Sequence, residues 1–210
     1  MSSLFDLTGK VAIITGSTKG IGKAIAEEYA KAGAKVVISS RKADVCEQVA
    51  NELREQGFDA MPIACHVGDK AQLQNLVDQT LAAWGKIDIL VCNAATNPVY
   101  GPTHKVSDEA FDKIMGTNVK GTFWLARNLS LEWGPQNIRV NSIAPGLIRT
   151  DFAQALIEDP DRLKRVEEQL PLRRVGEPVD IAGVALFLGS RAGAYVTGQT
   201  IVADGGDTIT

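Results

Sequence analysis

The stretch Thr15-Gly16-Ser17-Thr18-Lys19-Gly20-Ile21-Gly22 decides the fold class, because it joins a short apolar strand to an amphipathic helix. The strand is expected over residues 11–14 and the helix over residues 21–32, with Gly33 ending it. Glycines let the backbone turn sharply and approach a pyrophosphate, which the free N–H groups and the positive end of the new helix attract. The spacing is G-x-x-x-G-x-G rather than the commoner G-x-G-x-x-G, so a plain tight turn is the alternative interpretation. We predict a phosphate-binding loop at this position.

The same alternation of short apolar runs and longer amphipathic stretches continues along the chain. Further strands are expected over residues 35–39, 60–65 and 87–92, and further helices over residues 44–56 and 69–84. The strands are apolar almost throughout, which is typical of a parallel sheet covered by helices on both faces. No repeat, linker or low-complexity segment interrupts the pattern. The sequence therefore predicts one α/β domain, residues 1–210, built on a Rossmann-type doubly wound parallel sheet.

Composition and charge narrow the class of partner. The chain has 210 residues, 45% of them hydrophobic and 22% charged, as expected for one globular domain. Its 22 basic and 25 acidic residues give a net charge of -3, so we expect a small-molecule partner rather than nucleic acid or a membrane. The sequence shows no signal-peptide pattern and no membrane-spanning run, so we expect a cytoplasmic location. Cys46, Cys65 and Cys92 form no CxxC pair, so we expect buried small side chains and no metal site.

Several further motifs follow in a recognisable order. They are Asn93-Ala94-Ala95, Thr117-Asn118-Val119-Lys120-Gly121, Ile138-Arg139-Val140-Asn141, Pro145-Gly146, and the closing strand that begins at Gly198 and ends at Gly206. Together with the glycine loop they resemble the motifs of the short-chain dehydrogenase/reductase family, from about Leu7 to Gly206. The sequence of residues 39–42 and 65–68 is most similar to that of the carbonyl and retinal reductase branch of the family. The resemblance implies an oxidoreductase that uses a nicotinamide dinucleotide on a small carbonyl or alcohol substrate.

The resemblance also implies which residues hold the cofactor. The glycine loop would bind the pyrophosphate, and the segment after the fourth strand would line the cofactor. The loop after residue 144 would hold the nicotinamide end. His66 and Val67 stand where the family usually has an acidic residue and valine beside the adenine, although a packed or solvated His66 is an equal alternative. The implied set is Gly16, Ser17, Lys19, Gly20, Ile21, Gly22, His66, Val67, Asn93, Ala94, Ala95, Pro145, Gly146, Ile148 and Thr150.

Cofactor choice can be argued from charge at the end of the second strand. An NAD-binding site presents Asp or Glu about 20 residues beyond the glycine loop, where it binds the ribose hydroxyls. No acidic residue occurs between Tyr29 and Ala43, and Ser40-Arg41-Lys42 stands at the end of the strand instead. Arg41 offers a planar donor fork for the extra phosphate of NADP(H), and Lys19 can add a second cation. We predict NADP(H) over NAD(H); the alternative is that Arg41 and Lys42 are merely solvated.

The catalytic motif of the family is absent from this sequence. By the resemblance, a tyrosine exchanges a proton with the substrate oxygen, a lysine four residues later lowers the pKa of that tyrosine, and a serine holds the oxygen. Four residues after Tyr29, Tyr100 and Tyr195 stand, in turn, a glycine, His104 and a glutamine. Asn118, which the family uses to position a water, is the only catalytic position that survives. General acid–base catalysis contributes about 10²- to 10⁴-fold in rate, so we predict no appreciable carbonyl reduction.

The missing motif belongs to a missing structural unit. Residues 107–133 form one helix-like stretch that leads directly to an expected strand over residues 138–143, whereas the resemblance implies another strand between them. The join falls near residues 125–127, and the absent unit has roughly 40 residues. The fourth strand would then pair with residues 138–143 in a six-stranded sheet of marginal stability. The dimers or tetramers usual in the family are also in doubt.

Three interpretations follow from the sequence. In the first, the chain is an internally deleted form of an NADP-dependent oxidoreductase. In the second, it is a non-catalytic module that binds NADP(H). In the third, the deletion prevents stable folding, and the family motifs are relics.

Overall fold

The computed structural model describes residues 4–97, 105–121 and 139–209, which alternate between strands and helices as the sequence predicts. The expected join near residues 125–127 lies outside these ranges, as do Tyr100, His104 and Ile138. The strands are β1 Val11–Thr15, β2 Lys35–Ser39, β3 Ala60–Pro62, β4 Ile89–Val91, β5 Ser142–Pro145 and β6 Thr200–Ala203. The helices are α1 Gly20–Lys31, α2 Ala43–Glu55, α3 Lys70–Trp84, α4 Asp108–Ile114, α5 Gln154–Ile157, α6 Pro160–Gln169 and α7 Pro178–Gly189. A π-helical turn, Met115–Gly121, extends α4.

Strands β1 to β4 form one parallel sheet in the order β3-β2-β1-β4. The register between its two central strands pairs Ile13 with Val37, and all five residues of β1 are buried. One core cluster packs α1, α2 and α7 against one face of this sheet. A second cluster, which includes Leu73 and Leu76 of α3, covers the other face. The predicted doubly wound α/β architecture is therefore confirmed.

The prediction of one six-stranded sheet is wrong. Strands β5 and β6 pair with each other in a separate two-stranded parallel sheet, and no ladder joins β4 to β5 among the described residues. Helix α7 packs on α1 and contacts both β5 and β6, so the position of this pair of strands depends on α7 rather than on a ladder with β4. Strands β4 and β5 are therefore both sheet edges in the part of the chain that the structure describes.

The residues of these two edge strands are less buried than those of the central strands. All three residues of β4 are only partly buried, and β5 exposes Ser142 and Pro145. Central strands of a parallel sheet are normally buried on both faces. The partial exposure of β4 and β5 therefore matches their position as edge strands in the part of the chain that the structure describes.

The carboxyl-terminal part of the chain is held to the first sheet by the contact between α1 and α7. Tyr29 is 2% exposed, and its hydroxyl donates a hydrogen bond to the carbonyl oxygen of Ala185 at 2.8 Å. The side chain of Arg139 donates to the carbonyl oxygen of Leu188 in the last turn of α7 at 2.6 Å, and to that of Gly193 after the helix at 2.9 Å. Because α7 also contacts Ile143, this packing places β5 relative to the glycine loop.

Within residues 4–97, 105–121 and 139–209, no helix is long and apolar enough to cross a membrane.

Candidate functional site

The glycine loop between β1 and α1 is closely packed against the segment that follows β4. Gly16 has φ +68°, and a Cβ atom added there would lie 2.9 Å from Cα of Ala94. A Cβ atom on Gly22 would lie 2.4 Å from Nδ2 of Asn93 and equally close to the carbonyl oxygen of Gly16. Only glycine fits these positions without a shift of the backbone. The structure thus brings together two of the predicted cofactor segments, residues 16–22 and 93–95.

Helix α1 begins without a side chain to satisfy its first N–H groups. Its N-cap residue, Lys19, makes no side-chain capping bond. Helix α3 is different, because the carboxylate of Asp69 accepts from the main-chain N–H groups of Ala71 and Gln72. Unsatisfied N–H groups and the positive end of the helix dipole together favour an anion. The loop leaves no room for side chains at Gly16 and Gly22, and its helix start offers free N–H groups. Both features suit the pyrophosphate that the sequence predicts here.

Two hydroxyl groups hold the loop in this conformation. The Oγ1 atom of Thr15 accepts from the main-chain N–H groups of Asn93 and Ala94, both at 3.1 Å. Ser17 is 0% exposed; its Oγ donates to the carbonyl of Ile14 at 2.7 Å and accepts from the N–H of Ser39 at 2.8 Å. The side chain of Ser17 therefore ties the loop to β2 and is not turned toward a ligand. Sequence reasoning missed the role of Thr15, for which the only signal was a hydroxyl residue at the start of the motif.

The end of β2 presents a free cation. Arg41 is exposed and forms no ion pair or hydrogen bond with any of the described residues. Lys42 is the N-cap residue of α2 and, like Lys19, makes no side-chain capping bond. Ser40 is partly buried, and its carbonyl oxygen accepts from the N–H of Cys65 at 2.8 Å. The exposed guanidinium beside an uncapped helix start is a suitable place for a phosphate group.

The loop after β5 reaches the glycine loop from the other half of the chain. A Cβ atom on Gly20 would lie 3.2 Å from Cγ2 of Thr150, and Nζ of Lys19 lies 3.0 Å from Oδ2 of Asp151. Gly146 passes so close to Asp204 that a Cβ atom would lie 2.6 Å from its Cα. The loop after β5 therefore lies beside the glycine loop.

The other predicted residues of this loop differ in exposure. Ile148 is buried and forms a bridge with Gly176, whereas Pro145 is exposed. The structure brings residues 16–22, 93–95 and 145–150 together at the carboxyl ends of strands β1, β4 and β5.

Beside β3, His66 has a local partner. Its Nδ1 accepts from the N–H of Gly68 at 3.0 Å, and the residue is exposed. Val67 is 8% exposed and belongs to the second core cluster. Among the described residues, no group of three or more His, Cys, Asp or Glu is arranged to hold a metal ion.

Asn118 lies in the π-helical turn that follows α4. Its Oδ1 accepts from the main-chain N–H of Thr96 at 2.8 Å, and its Nδ2 donates to the carbonyl of the same residue at 3.0 Å. Asn93 is held in a similar way, with its Nδ2 donating to the carbonyls of Thr15 at 3.0 Å and Gly16 at 3.2 Å. The two amides fix the chain on either side of Ala95. Both therefore shape the site through the backbone.

The groups that could exchange protons near this site are few. Tyr29 is enclosed between α1 and α7, and burial raises its pKa far above the ordinary value. Burial raises the pKa of the Cys65 thiol, and that of Cys92, to about 11. These thiols remain protonated near neutral pH. Tyr195, the other described tyrosine, is fully exposed, and Gln199 stands four residues after it.

Two family models match overlapping parts of the chain. The model described as short chain dehydrogenase matches residues 10–130, and the model described as Enoyl-(Acyl carrier protein) reductase matches residues 121–208. Together they span both sheets. The overlap lies between α4 and β5, where the sequence predicts the join.

Individual relatives match along almost the whole chain. Dehydrogenase/reductase SDR family member 4 of Oryctolagus cuniculus is 38% identical over 244 aligned positions, covering 95% of this chain and 94% of the relative. Gluconate 5-dehydrogenase from Burkholderia cenocepacia J2315, solved in complex with NADP and tartrate, has a TM-score of 0.92 at 28% identity and 98% coverage of both chains. A 7 alpha-hydroxysteroid dehydrogenase, solved with NADH and 7-oxo glycochenodeoxycholic acid, has a TM-score of 0.88 at 33% identity, covering 96% of this chain and 95% of its own.

The rabbit alignment is longer than the chain itself. It has 244 aligned positions, whereas the chain has 210 residues, a difference of 34. At least 34 residues of the relative therefore have no counterpart in this chain.

Proposed function

The chain belongs to the short-chain dehydrogenase/reductase family of oxidoreductases, and from that premise we propose that it binds NADP(H) but lacks the residues for carbonyl reduction. In its complete form the protein would reduce a small carbonyl compound or oxidise the matching alcohol. The observation that carries the proposal is the contrast between the two parts of the site. The phosphate-binding part is assembled and closely packed, whereas the sequence contains no tyrosine followed four residues later by lysine.

The preference for NADP(H) rests on the end of β2. Arg41 is exposed and unpaired among the described residues, and no carboxylate stands between Tyr29 and Ala43 to bind ribose hydroxyls. NADP occurs in the Burkholderia structure and NADH in the hydroxysteroid dehydrogenase, so membership of the family does not decide the choice. The charge at Arg41 supports a 2′-phosphate. The dinucleotide, when bound, supplies or accepts a hydride.

The remaining residues of the chain bind and orient. Gly16, Gly20 and Gly22 would give the pyrophosphate access to the start of α1, and Thr150 would close the site from the opposite loop. Asn118 holds the main chain of Thr96 with both ends of its amide. An amide has no readily exchanged proton, so Asn118 cannot replace a general acid.

The experiment that tests the proposal compares the chain with a chimera. In the chimera, the segment of the rabbit relative that has no counterpart in this chain is inserted within residues 122–138, which are otherwise kept. NADPH and NADH affinities are measured by fluorescence titration for both proteins, and turnover is measured on a panel of aldehydes and ketones. We expect both proteins to bind NADPH more tightly than NADH, and only the chimera to turn over substrate. Turnover by the unmodified chain, or equal affinities for the two cofactors, would overturn the proposal.

The alternative is that the natural protein is itself a non-catalytic module that binds NADP(H), rather than an internally deleted form of an active reductase. The approach of Thr150 to Gly20 favours it, because residues from the two halves of the proposed binding site lie close together in this chain. The intact mass of the protein isolated from its own source separates the two functions. A mass of 22.4 kDa means that the natural protein is this shorter chain, and supports the binding module. A mass several kilodaltons higher restores the segment and supports an active reductase.

A further inference from the structure

The thiol of Cys46 lies directly behind the segment that follows β2. The residue is 0% exposed and belongs to the first turns of α2. Its Sγ accepts a hydrogen bond from the main-chain N–H of Ser40 at 3.1 Å and lies 3.2 Å from Oγ of the same serine. One buried side chain thus contacts both the backbone and the hydroxyl of Ser40.

Ser40 is also held from the opposite side. Its carbonyl oxygen accepts from the main-chain N–H of Cys65 at 2.8 Å. The N–H of Ser40 donates to Sγ of Cys46, and its carbonyl oxygen accepts from the N–H of Cys65. The backbone of Ser40 therefore has little freedom to rotate. Arg41 follows it in the chain, and its exposed side chain starts from a backbone that these two bonds fix.

We propose that Cys46 is a positioning residue for cofactor selection, because its sulfur fixes Ser40 and thereby Arg41 in the conformation that receives the 2′-phosphate of NADP(H). The inference rests on the proposed NADP(H) preference and names a residue that makes it possible. A thiol is both a weak donor and a weak acceptor. Sγ also donates to the carbonyl oxygen of Ser40 at 3.7 Å, and either atom can donate in the contact between Sγ and Oγ. In the arrangement where the thiol donates to Oγ, the hydroxyl proton of Ser40 is available for a phosphate oxygen.

The effect is specific to one cofactor. NADPH places its extra phosphate at Arg41, whereas NADH has no charged group there. Loss of one hydrogen bond that positions this segment should weaken NADPH binding by about two- to tenfold. The affinity for NADH should stay within about twofold, because the pyrophosphate loop is held by Thr15 and Ser17 instead.

The test uses four variants of the full chain. Cys46→Ala and Cys46→Val both remove the sulfur, and the valine also fills the space. Cys46→Ser keeps a group that donates and accepts. Cys65→Ala is the matched control, because Cys65 is equally buried and contacts Ser40 only through its main chain. The dissociation constants of NADPH and NADH are measured for each, with a thermal melt to confirm folding.

The expected result is a lower ratio of NADPH to NADH affinity in Cys46→Ala and Cys46→Val only. A second readout needs no cofactor: by NMR, exchange of the Ser40 amide proton should be faster in these two variants and unchanged in Cys65→Ala. An unchanged affinity ratio in whichever sulfur-free variant folds, or an equal loss for both cofactors, would overturn the inference. Equal affinities in the unmodified chain would instead remove the proposed preference, and the role of Cys46 would fall with it.

Discussion

At the scale of single residues, two buried serine hydroxyls near the glycine loop differ in their hydrogen bonds. The hydroxyl of Ser17 both donates and accepts, and it bridges β1 and β2. Ser39 is 1% exposed, and its hydroxyl has no hydrogen-bond partner in the described part of the chain. A buried polar atom without a partner is costly, whereas a satisfied one stabilises. The two serines form a matched pair for measurement.

Ser17→Ala should lower the free energy of unfolding by about 1–3 kcal/mol, because the buried N–H of Ser39 loses its acceptor. Ser39→Ala should be neutral or stabilising, because it removes an unsatisfied hydroxyl. Urea unfolding of both variants, followed by circular dichroism, checks the difference. Equal destabilisation by the two substitutions would contradict the hydrogen-bond assignment.

The ion pair between Lys19 and Asp151 joins the two halves of the site at its surface. Both side chains are about 70% exposed (71% and 69%), so the pair adds little to stability. Asp151→Asn should leave the free energy of unfolding unchanged within about 0.5 kcal/mol. It should tighten NADPH binding by about two- to threefold, because Lys19 is then available to a phosphate. Titration at low and high salt checks this, and weaker binding would show that Asp151 orders the loop.

At the scale of elements, α7 connects the two sheets through its contact with α1. Gly189 ends the helix so close to Tyr29 that a Cβ atom would lie 2.7 Å from the tyrosine hydroxyl. Alanine is preferred over glycine in helices by about 1 kcal/mol, but overpacking a core costs about 1–3 kcal/mol. Steric conflict should therefore outweigh helix propensity at this position.

Gly189→Ala should destabilise the unmodified chain. In a chain that already carries Tyr29→Phe, which removes the conflicting oxygen, adding Gly189→Ala should have little further effect on the free energy of unfolding. Tyr29→Phe alone should cost about 1 kcal/mol through the lost bond to Ala185. A double-mutant cycle in urea measures the coupling. Strict additivity of the two changes would mean that α1 and α7 do not meet at these residues.

The start of α7 carries a carboxylate whose protonation can be followed. Both oxygens of Asp180 accept from the guanidinium of Arg174, at 2.7 and 2.9 Å, and the N–H of Glu177 donates to the same carboxylate. The hydrogen bonds from Arg174 lower the pKa of Asp180 from 3.8 to about 2. Because the pKa is lower in the folded state, this carboxylate stabilises the fold above pH 3.8, and the contribution disappears as the pH falls toward 2.

Asp180→Asn should therefore be less stable than the unmodified chain at neutral pH, with the difference closing between about pH 4 and pH 2. Urea midpoints measured across this range check the expectation. Glu168→Gln, in an exposed pair 3.9 Å from Lys164, is the control and should show little difference at any pH. A difference for Asp180→Asn that persists below pH 2 would assign the effect to packing rather than charge.

The sequence predicts elements well where local chemistry decides them. Hydrophobic periodicity and terminal glycines placed α1 to α3 within a residue or two of their observed bounds. The predicted bounds of β3 and β4 extend past the observed strands, although Ile63 and Cys65 still donate main-chain hydrogen bonds to Ile38 and Ser40 beyond the end of β3. The partners of β5 were not predictable, since strand pairing depends on where α7 docks.

At the scale of the whole molecule, the separation of the two sheets limits stability. Strands β4 and β5 present edges that a central strand would normally join, and their residues remain half-exposed. Domains of this size have only about 5–15 kcal/mol of stability, and a missing central strand removes apolar burial from the core. The family resemblance predicts a further strand between β4 and β5, but residues alone did not indicate that the described strands would form two sheets.

The chimera with the segment of the rabbit relative should unfold at a higher temperature and with a larger dependence on urea, because more surface is exposed on unfolding. A chimera with a Gly/Ser-rich insert of the same length is the control and should show neither change. Urea and thermal unfolding of the three proteins check the expectation. Equal slopes for the two inserts would mean that the added strand does not enter the sheet.

The contact that covers α1 also has a consequence during protein synthesis. Tyr29 and Ala185 are 156 residues apart in the chain. At roughly 5–20 residues per second, a ribosome needs about 8–30 s between these two residues. Throughout that interval the apolar face around Tyr29 emerges without its covering helix, and it is available to chaperones or to neighbouring nascent chains. The yield of folded protein in a cell should therefore depend on how fast the middle of the message is translated.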